Sequence, residues 1–179
     1  MNILKKIYKI LKHEDIDYLK KRGLVIGNNF KIQRDCIIDK DHCFLITIGN
    51  NVTLAPRVHI LAHDASTKQI LGYTKIGRVN IGNNVFIGAS STILPNVSIG
   101  DNCIIGAGSV VTKSFDSGLV IAGNPAKVID TLEDYIEKNK KLMNTSSIYD
   151  ENWTFRKKIT KEMMQEMRKS LKDSIGFVE

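Results

Sequence analysis

Aromatic residues make up only 7% of the chain, too few to supply the stacked rings that a nucleic-acid surface combines with its cations. Cysteine is scarce too. The three present, an odd number with no CxxC spacing, argue against a disulfide framework and for a reducing compartment; Cys36 and Cys103 suit core positions. Long apolar runs are absent: the opening MNILKKIYKILKHEDIDYL alternates Lys with Ile, Leu and Tyr, which provides neither a signal peptide nor a membrane span. A cytoplasmic protein without membrane association is expected. Intrinsic disorder is also excluded, because 42% hydrophobic residues in 179 suffice for one main core with appendages.

Positive charge is unevenly spread. Met1 to Gly23 hold seven Lys or Arg against three Asp or Glu, so +4 of the net +7 sits in this tail. The balance suits an acidic small ligand or an anionic surface. Lys5, Lys6, Lys9 and Lys12 read as the solvated face of a short helix whose Ile3, Leu4, Ile7, Ile10 and Leu11 pack on the main domain.

What the sequence has in abundance is a six-residue rhythm. In IGNNVFIGASSTILPNVSIGDNCIIGAGSVV the aliphatics fall at Ile81, Ile87, Ile93, Ile99, Ile105 and Val111, a spacing that neither a helix nor a simple strand produces. Two residues before each of the last five comes another core-type residue: Val85, Ser91, Val97, Cys103 and Ser109. This is a strand period nested in a longer repeat. Gly82, Gly88, Gly100 and Gly106, often followed by Asn or Asp, mark the corners. Three such units close one triangular coil, and successive coils pair as parallel strands. The predicted fold is therefore an all-β solenoid.

The pattern extends upstream through Ile26, Ile32 and Ile38, and again through Ile48, Leu54 and Ile60. It slips at DKDHCFLIT, which predicts a bulge or an enlarged corner, and it is interrupted by LAHDASTKQILGYTK, residues 61–75, which should leave the prism as a loop. After Val111 it fades through TKSFDSGLVIAGNPAKVI, a last irregular coil. The expected organisation is a basic helical segment over 1–23, the repeat domain over 24–130 and a helical segment over 131–179. In that last segment Met163, Met164 and Met167 fall at helical spacing as packing residues. Ala89 and Ala107 are 18 residues apart, and so stack on adjacent coils. Pro125, 18 further on, extends the column. Such small residues leave a shallow channel along the prism.

From about Ile26 to Ile129 the sequence resembles the hexapeptide-repeat acyltransferases, most specifically in IGNNVFIGASSTILPNVSIGDNCIIGAGSVVTKS and AGNPAKVI. These stretches are similar to the galactoside, maltose, antibiotic and polysaccharide O-acetyltransferases, and VHILAHDASTK is nearest the polysaccharide type. The resemblance implies a left-handed parallel β-helix, a homotrimer and acetyl-CoA as cosubstrate. It places CoA along Ala89, Ala107, Thr112, Lys113 and Lys127. The two lysines suit a phosphorylated ADP group, since ammonium ions are point-charge partners for phosphate.

Acetyl transfer from a thioester to a hydroxyl needs a base for the hydroxyl proton and donors for the tetrahedral oxyanion. Histidine fits the first role. His63, just past a strand in the non-repeating loop, matches the family's catalytic His within AHDAS, and backbone N–H groups near Ala89 suit the second role. His59 points outward between the core positions Val58 and Ile60. Together with Asp64, Phe86, Asp41 and His42 it is a candidate for the acceptor side. Phe86 stands where many relatives carry Trp, which keeps an aromatic wall without its N–H. Asp130 replaces a residue that relatives often have as basic.

A zinc site of the γ-carbonic anhydrase kind would need three converging histidines, and the spacing of His42, His59 and His63 does not resemble that family's pattern; no metal is expected. The expected activity is acetyl-CoA-dependent O-acetylation of a sugar hydroxyl on a saccharide or polysaccharide precursor. The alternatives are amino-sugar N-acetylation and a non-catalytic scaffold subunit on the same fold.

Overall fold

The computed structural model describes residues 16–179. The helix expected on Ile3, Leu4, Ile7, Ile10 and Leu11 lies outside them. The chain divides into two compact units, one ending at Leu132 and the other covering Glu133–Glu179.

In the first unit successive strands are dealt in rotation to three parallel sheets. The first sheet holds β1 (Val25–Ile26), β4 (Ile46–Ile48), β9 (Val79–Ile81) and β12 (Val97–Ile99). The second holds β2 (Lys31–Ile32), β5 (Thr53–Leu54), β10 (Phe86–Ile87), β13 (Ile104–Ile105) and β15 (Leu119–Gly123). The third holds β3 (Ile37–Ile38), β6 (His59–Ile60), β11 (Thr92–Ile93) and β14 (Val110–Val111). Each strand is only two to five residues long, so sheet pairing alone could not hold it. What holds it is the residue at each sixth position: Ile81, Ile87, Ile93, Ile99, Ile105 and Val111 are buried, as are Val85, Val97 and Cys103 two places earlier. Each such aliphatic contributes roughly 1.5–3 kcal/mol on burial. Ser91 and Ser109, buried at equivalent positions, are satisfied because both hydroxyls donate to the Gly106 carbonyl, at 2.9 and 2.6 Å.

The corners divide the labour between Asn and Gly. Asn29, Asn51, Asn84 and Asn102 take the left-handed conformation, with φ between 54° and 57°, which Asn tolerates better than most side chains. Gly88 is needed for a different reason: a Cβ there would lie 2.5 Å from the Ala107 nitrogen of the next circuit.

Register reports where the repeat is interrupted. Circuits between β9 and β14 advance by 18 residues, as Val79↔Val97 shows. The step from β1 to β4 is 22, and the four extra residues are accommodated in the corner that holds the 3-10 turn Cys43–Leu45. The step from β4 to β9 is 33. Its fifteen extra residues form a projection in which β7 (His63–Asp64) pairs antiparallel with β8 (Lys75–Ile76) around a short helix, α2 (Lys68–Leu71). The segment expected as a loop is thus a capped hairpin: the Asp64 carboxylate accepts from Ser66 N–H at 2.9 Å, and Gly72 ends the helix at φ 76°.

One expectation on register is corrected. Ala107 lies beside Ala89, whose carbonyl accepts from Gly108 N–H at 2.8 Å, but Pro125 does not continue the column. Ile105 pairs with Ile121, so the last step is 16 and Gly123 takes that place. The circuit is shorter because Phe115 makes a single bridge to Ile99 instead of a full strand. The chain then turns at a cis Asn124–Pro125 bond into β16 (Ala126–Thr131), antiparallel to β15. At the opposite end, Leu19 of α1 (Ile16–Lys21), Leu24 and Cys43 are buried in the same core.

The second unit is not helical throughout. Besides α3 (Leu132–Met143) and α4 (Lys161–Ser170) it contains β17 (Ser147–Tyr149) and β18 (Gly176–Val178), paired in parallel. The cause is packing around Tyr149, which is buried, lies with its ring 4.9 Å from that of Trp153 at a tilt of 49° and shares a hydroxyl hydrogen bond with Ser170. Met163, Met164 and Met167 lie half-buried on α4. Among the described residues no helix is long and apolar enough to cross a membrane.

Candidate active site

The corner that follows β3 is organised by one buried carboxylate. Asp39 is 3% exposed. Its Oδ1 accepts from the N–H groups of Asp41 at 3.1 Å and His42 at 3.0 Å, and its Oδ2 accepts from Ala62 N–H at 3.0 Å and bonds to Nδ1 of His63. Two neighbouring circuits are joined through this one side chain. Burial by itself would raise the pKa of the Asp39 carboxyl; the N–H of His42, the His63 ring and the N–H of Ala62 more than reverse that and hold it below its ordinary value.

His63 stands at the base of the hairpin, on β7, with about a third of its side chain exposed. Because an ionised carboxylate can only accept, Nδ1 is the donor of the shared bond, which leaves Nε2 as the ring nitrogen able to take a proton. The His42 ring lies 5.3 Å from that of His63 and 6.0 Å from Phe44. Its Nδ1 is buried without a hydrogen-bond partner, 3.8 Å from Asp39 Oδ1. The next residue along β7, Asp64, is ion-paired to Lys75 at 2.6 Å. That ammonium, with the Ser66 N–H, keeps the Asp64 carboxyl well below the usual carboxylate range. Asp64, Lys75, Ile76, Leu94, Pro95 and Thr112 line a cleft of about 550 Å³.

Asp39, His42 and His63 could each offer a ligand atom within 4.8 Å of the others. The carboxylate, however, has about four lone-pair sites, and four donors already occupy them. The trio is an imidazole held by a carboxylate rather than a vacant cation cage.

The remaining sequence-predicted residues fall at two different corners. His63, Asp64, Thr112 and Lys113 follow strands of the third sheet, on the way to the first. The Lys113 ammonium lies 5.5 Å from the centre of the Phe115 ring. Ala89 and Ala107 follow strands of the second sheet, on the way to the third, and Lys127 lies beside them opposite Ala122. Phe86, half exposed, projects from the second sheet between Thr53 and Ile104. His59 projects from the third between Ile37 and Thr92. Asp41 is exposed at the enlarged corner beside His42. Within one chain the two groups sit on different edges of the sheet stack. Sequence reasoning missed Asp39. Its signal was a carboxylate directly after the sixth-position Ile38, where the following circuits place Leu61, Leu94 and Thr112.

Three sheets visited in rotation, carrying at one corner an imidazole held by a buried carboxylate, define a repeat protein. Comparison with known proteins gives its family. Residues 78–113 match the model described as bacterial transferase hexapeptide (six repeats). Protein CapG of Staphylococcus aureus is 40% identical over 142 residues, which cover 75% of this chain and 83% of that protein. Among solved structures, a galactoside acetyltransferase in complex with coenzyme A superposes with a TM-score of 0.56 at 38% identity, covering 63% of this chain and 56% of that one. A maltose O-acetyltransferase from Clostridium difficile 630 gives 0.51 at 40% identity, covering 59% and 57%. The chain spans about half the length of several other curated relatives. The chain belongs to the hexapeptide-repeat acyltransferase family.

Proposed function

We propose that this protein is an acetyl-CoA-dependent O-acetyltransferase that acylates a saccharide hydroxyl, and that it works in the cytoplasm as a homotrimer of left-handed parallel β-helices. The observation that carries the reading is the Asp39–His63 pair on a chain of this family: it leaves one imidazole nitrogen able to accept a proton at a partly exposed corner.

The reaction is direct transfer. As the saccharide oxygen attacks the thioester carbonyl carbon, its proton passes to Nε2 of His63. The tetrahedral oxyanion is met by backbone N–H groups near Ala89. On collapse the C–S bond breaks, the acetyl group stays on the sugar oxygen, and the imidazolium returns its proton to the CoA sulfur. No covalent enzyme intermediate is required. Burial pushes the thiols of Cys36 and Cys103 up, against nucleophile use, and Cys36, Cys43 and Cys103 are all free and buried, in keeping with a reducing compartment.

The division of the site supports an oligomer, and the family resemblance makes that oligomer a trimer. Ala89, Ala107, Lys127 and Phe86 lie on a different edge from His63, Asp64 and Thr112, so a groove using both sets needs two copies side by side. The hairpin tip supports this with Ile70, Leu71 and Tyr73, all strongly exposed, an apolar group suited to cover by a neighbouring subunit. Thr112, Lys113 and Lys127 bind CoA along that groove. Asp64, His59, His42, Asp41 and Phe86 border the acceptor.

The test is acetyl-CoA turnover against a panel of nucleotide sugars and oligosaccharides, with mass analysis of the product. A saccharide gaining one base-labile acetyl ester is the expected result. Acetylation confined to amino groups, or calorimetry showing no CoA binding, would contradict the reading.

A further inference from the structure

We infer that the outer face of the first sheet holds a second saccharide subsite, and that it selects an acceptor carrying an anionic group, carboxylate or phosphate, on a unit beside the one acylated. This rests on the reading of the chain as a saccharide O-acetyltransferase.

The three sheets turn different chemistry outward. In the first, the exposed residues between buried aliphatics are Thr47, Asn80 and Ser98, which lie in register, and the Asn80 amide donates to the Ser98 hydroxyl at 3.2 Å. All three are polar and uncharged. The second sheet instead presents Phe86 and Ile104, and the third Ile37 and Val110, so the first is the face least suited to cover by another copy of the chain, whose interface core would be apolar.

On this polar face Phe44, Leu45, Thr47, Arg78 and Asn80 line a pocket of about 350 Å³. Phe44 is 58% exposed, although Cys43 beside it is fully buried. It is seated on Gly23, at φ 102°, where a Cβ would lie 2.8 Å from the Phe44 Cβ. Arg78 is exposed, and among the described residues no carboxylate pairs with it and no group hydrogen-bonds to its side chain. Each component matches one part of an acidic sugar. The ring offers an apolar platform, Thr47 and Asn80 on rigid strands offer partners for hydroxyls, and the open guanidinium fork fits a planar carboxylate or a phosphate, with bonds about twice as strong as those to a neutral oxygen. The pocket also adjoins the candidate base: the Phe44 ring lies 6.0 Å from that of His42, which lies 5.3 Å from that of His63. A saccharide with one hydroxyl at His63 is thereby led along a row of rings toward Arg78.

The test is calorimetric titration of the full chain, without acetyl-CoA, with each oligosaccharide of the panel in three forms: bearing a uronic acid, with that carboxyl reduced to the alcohol, and with a phosphate in its place. The wild type should bind an anionic form about tenfold more tightly than its neutral twin, a preference that shrinks as salt rises, and the uronate and phosphate arms tell which anion is preferred. In Arg78→Met the anionic forms should fall to the affinity of the neutral one. Phe44→Ala should weaken all three together. The absence of an anionic preference in every set, or a preference that survives Arg78→Met, overturns the subsite even if acetyl transfer is confirmed. So does a light-scattering mass that changes in Arg78→Met, which would give the face to a subunit contact. A chain that acetylates no saccharide but shows the preference, and loses it in Arg78→Met, keeps the subsite and loses the functional reading.

Discussion

Asn51 donates its side-chain N–H to the Oδ1 of Asn84 at 2.9 Å, although 33 residues separate them. The hairpin between them adds fifteen residues to the circuit without disturbing the ladder that runs Asn29, Asn51, Asn84, Asn102 along one edge. The fold can thus carry an insertion that bears His63 while the strands above and below keep their register.

Asn84 is consequently a sensitive position. Asn84→Ala removes both its ladder bonds and leaves an alanine at φ 55°. Together these should cost about 1–3 kcal/mol, seen as a Tm several degrees lower in calorimetry, with the oligomeric state unchanged. An unchanged Tm would mean that the ladder contributes nothing.

Gly88→Ala tests close approach rather than conformation. Its Cβ would meet the Ala107 nitrogen at 2.5 Å, and backbone cannot yield as a side chain does. A loss of roughly 1–3 kcal/mol, measured by denaturant unfolding, is expected, along with a raised KM for acetyl-CoA because the Ala89–Ala107 column shifts with it. A neutral substitution would contradict this packing.

Asp39 makes stability depend on pH in a known direction. Its carboxyl titrates below its ordinary 3.8 in the folded chain, so its contribution is fully present above that value and is lost as pH falls through the lower folded value. Unfolding midpoints between about pH 6 and pH 3 should show an acid limb that is shallower in Asp39→Asn than in the wild type. Parallel limbs would show that the carboxylate is not held as described.

How much of this was legible in the sequence depends on what fixes each feature. The sixth-position aliphatics and the residues two before them are local periodicities, and Ile87, Val97 and Cys103 occupy the predicted core. Pro125 was misplaced because its register depends on how the chain after Val111 pairs with β13. The replacement of a strand by the single Phe115–Ile99 bridge leaves no periodic trace. His63 could be singled out because its segment breaks the repeat and AHDAS matches the family's motif. Asp39 was missed because its meaning lies in a partner 24 residues away, and the strands of the C-terminal unit because their partners come from its two ends.

Charge attraction makes a separate prediction about the cosubstrate. Replacing Lys113 and Lys127 together with Ala should raise KM for acetyl-CoA, more so at low salt, where screening is weakest, with little change in kcat. Salt-independent kinetics identical to the wild type would remove these lysines from the CoA site.

The account turns on the role of His63, and steady-state kinetics of His63→Ala beside His59→Ala tests it most directly. Loss of the general base should lower kcat about 10²–10⁴-fold, while calorimetric CoA affinity and light-scattering mass stay those of the wild type. His59→Ala should act mainly on the acceptor KM. Retention of most of kcat in His63→Ala, with turnover abolished in His59→Ala, would contradict the account and move the base from the hairpin to the third sheet.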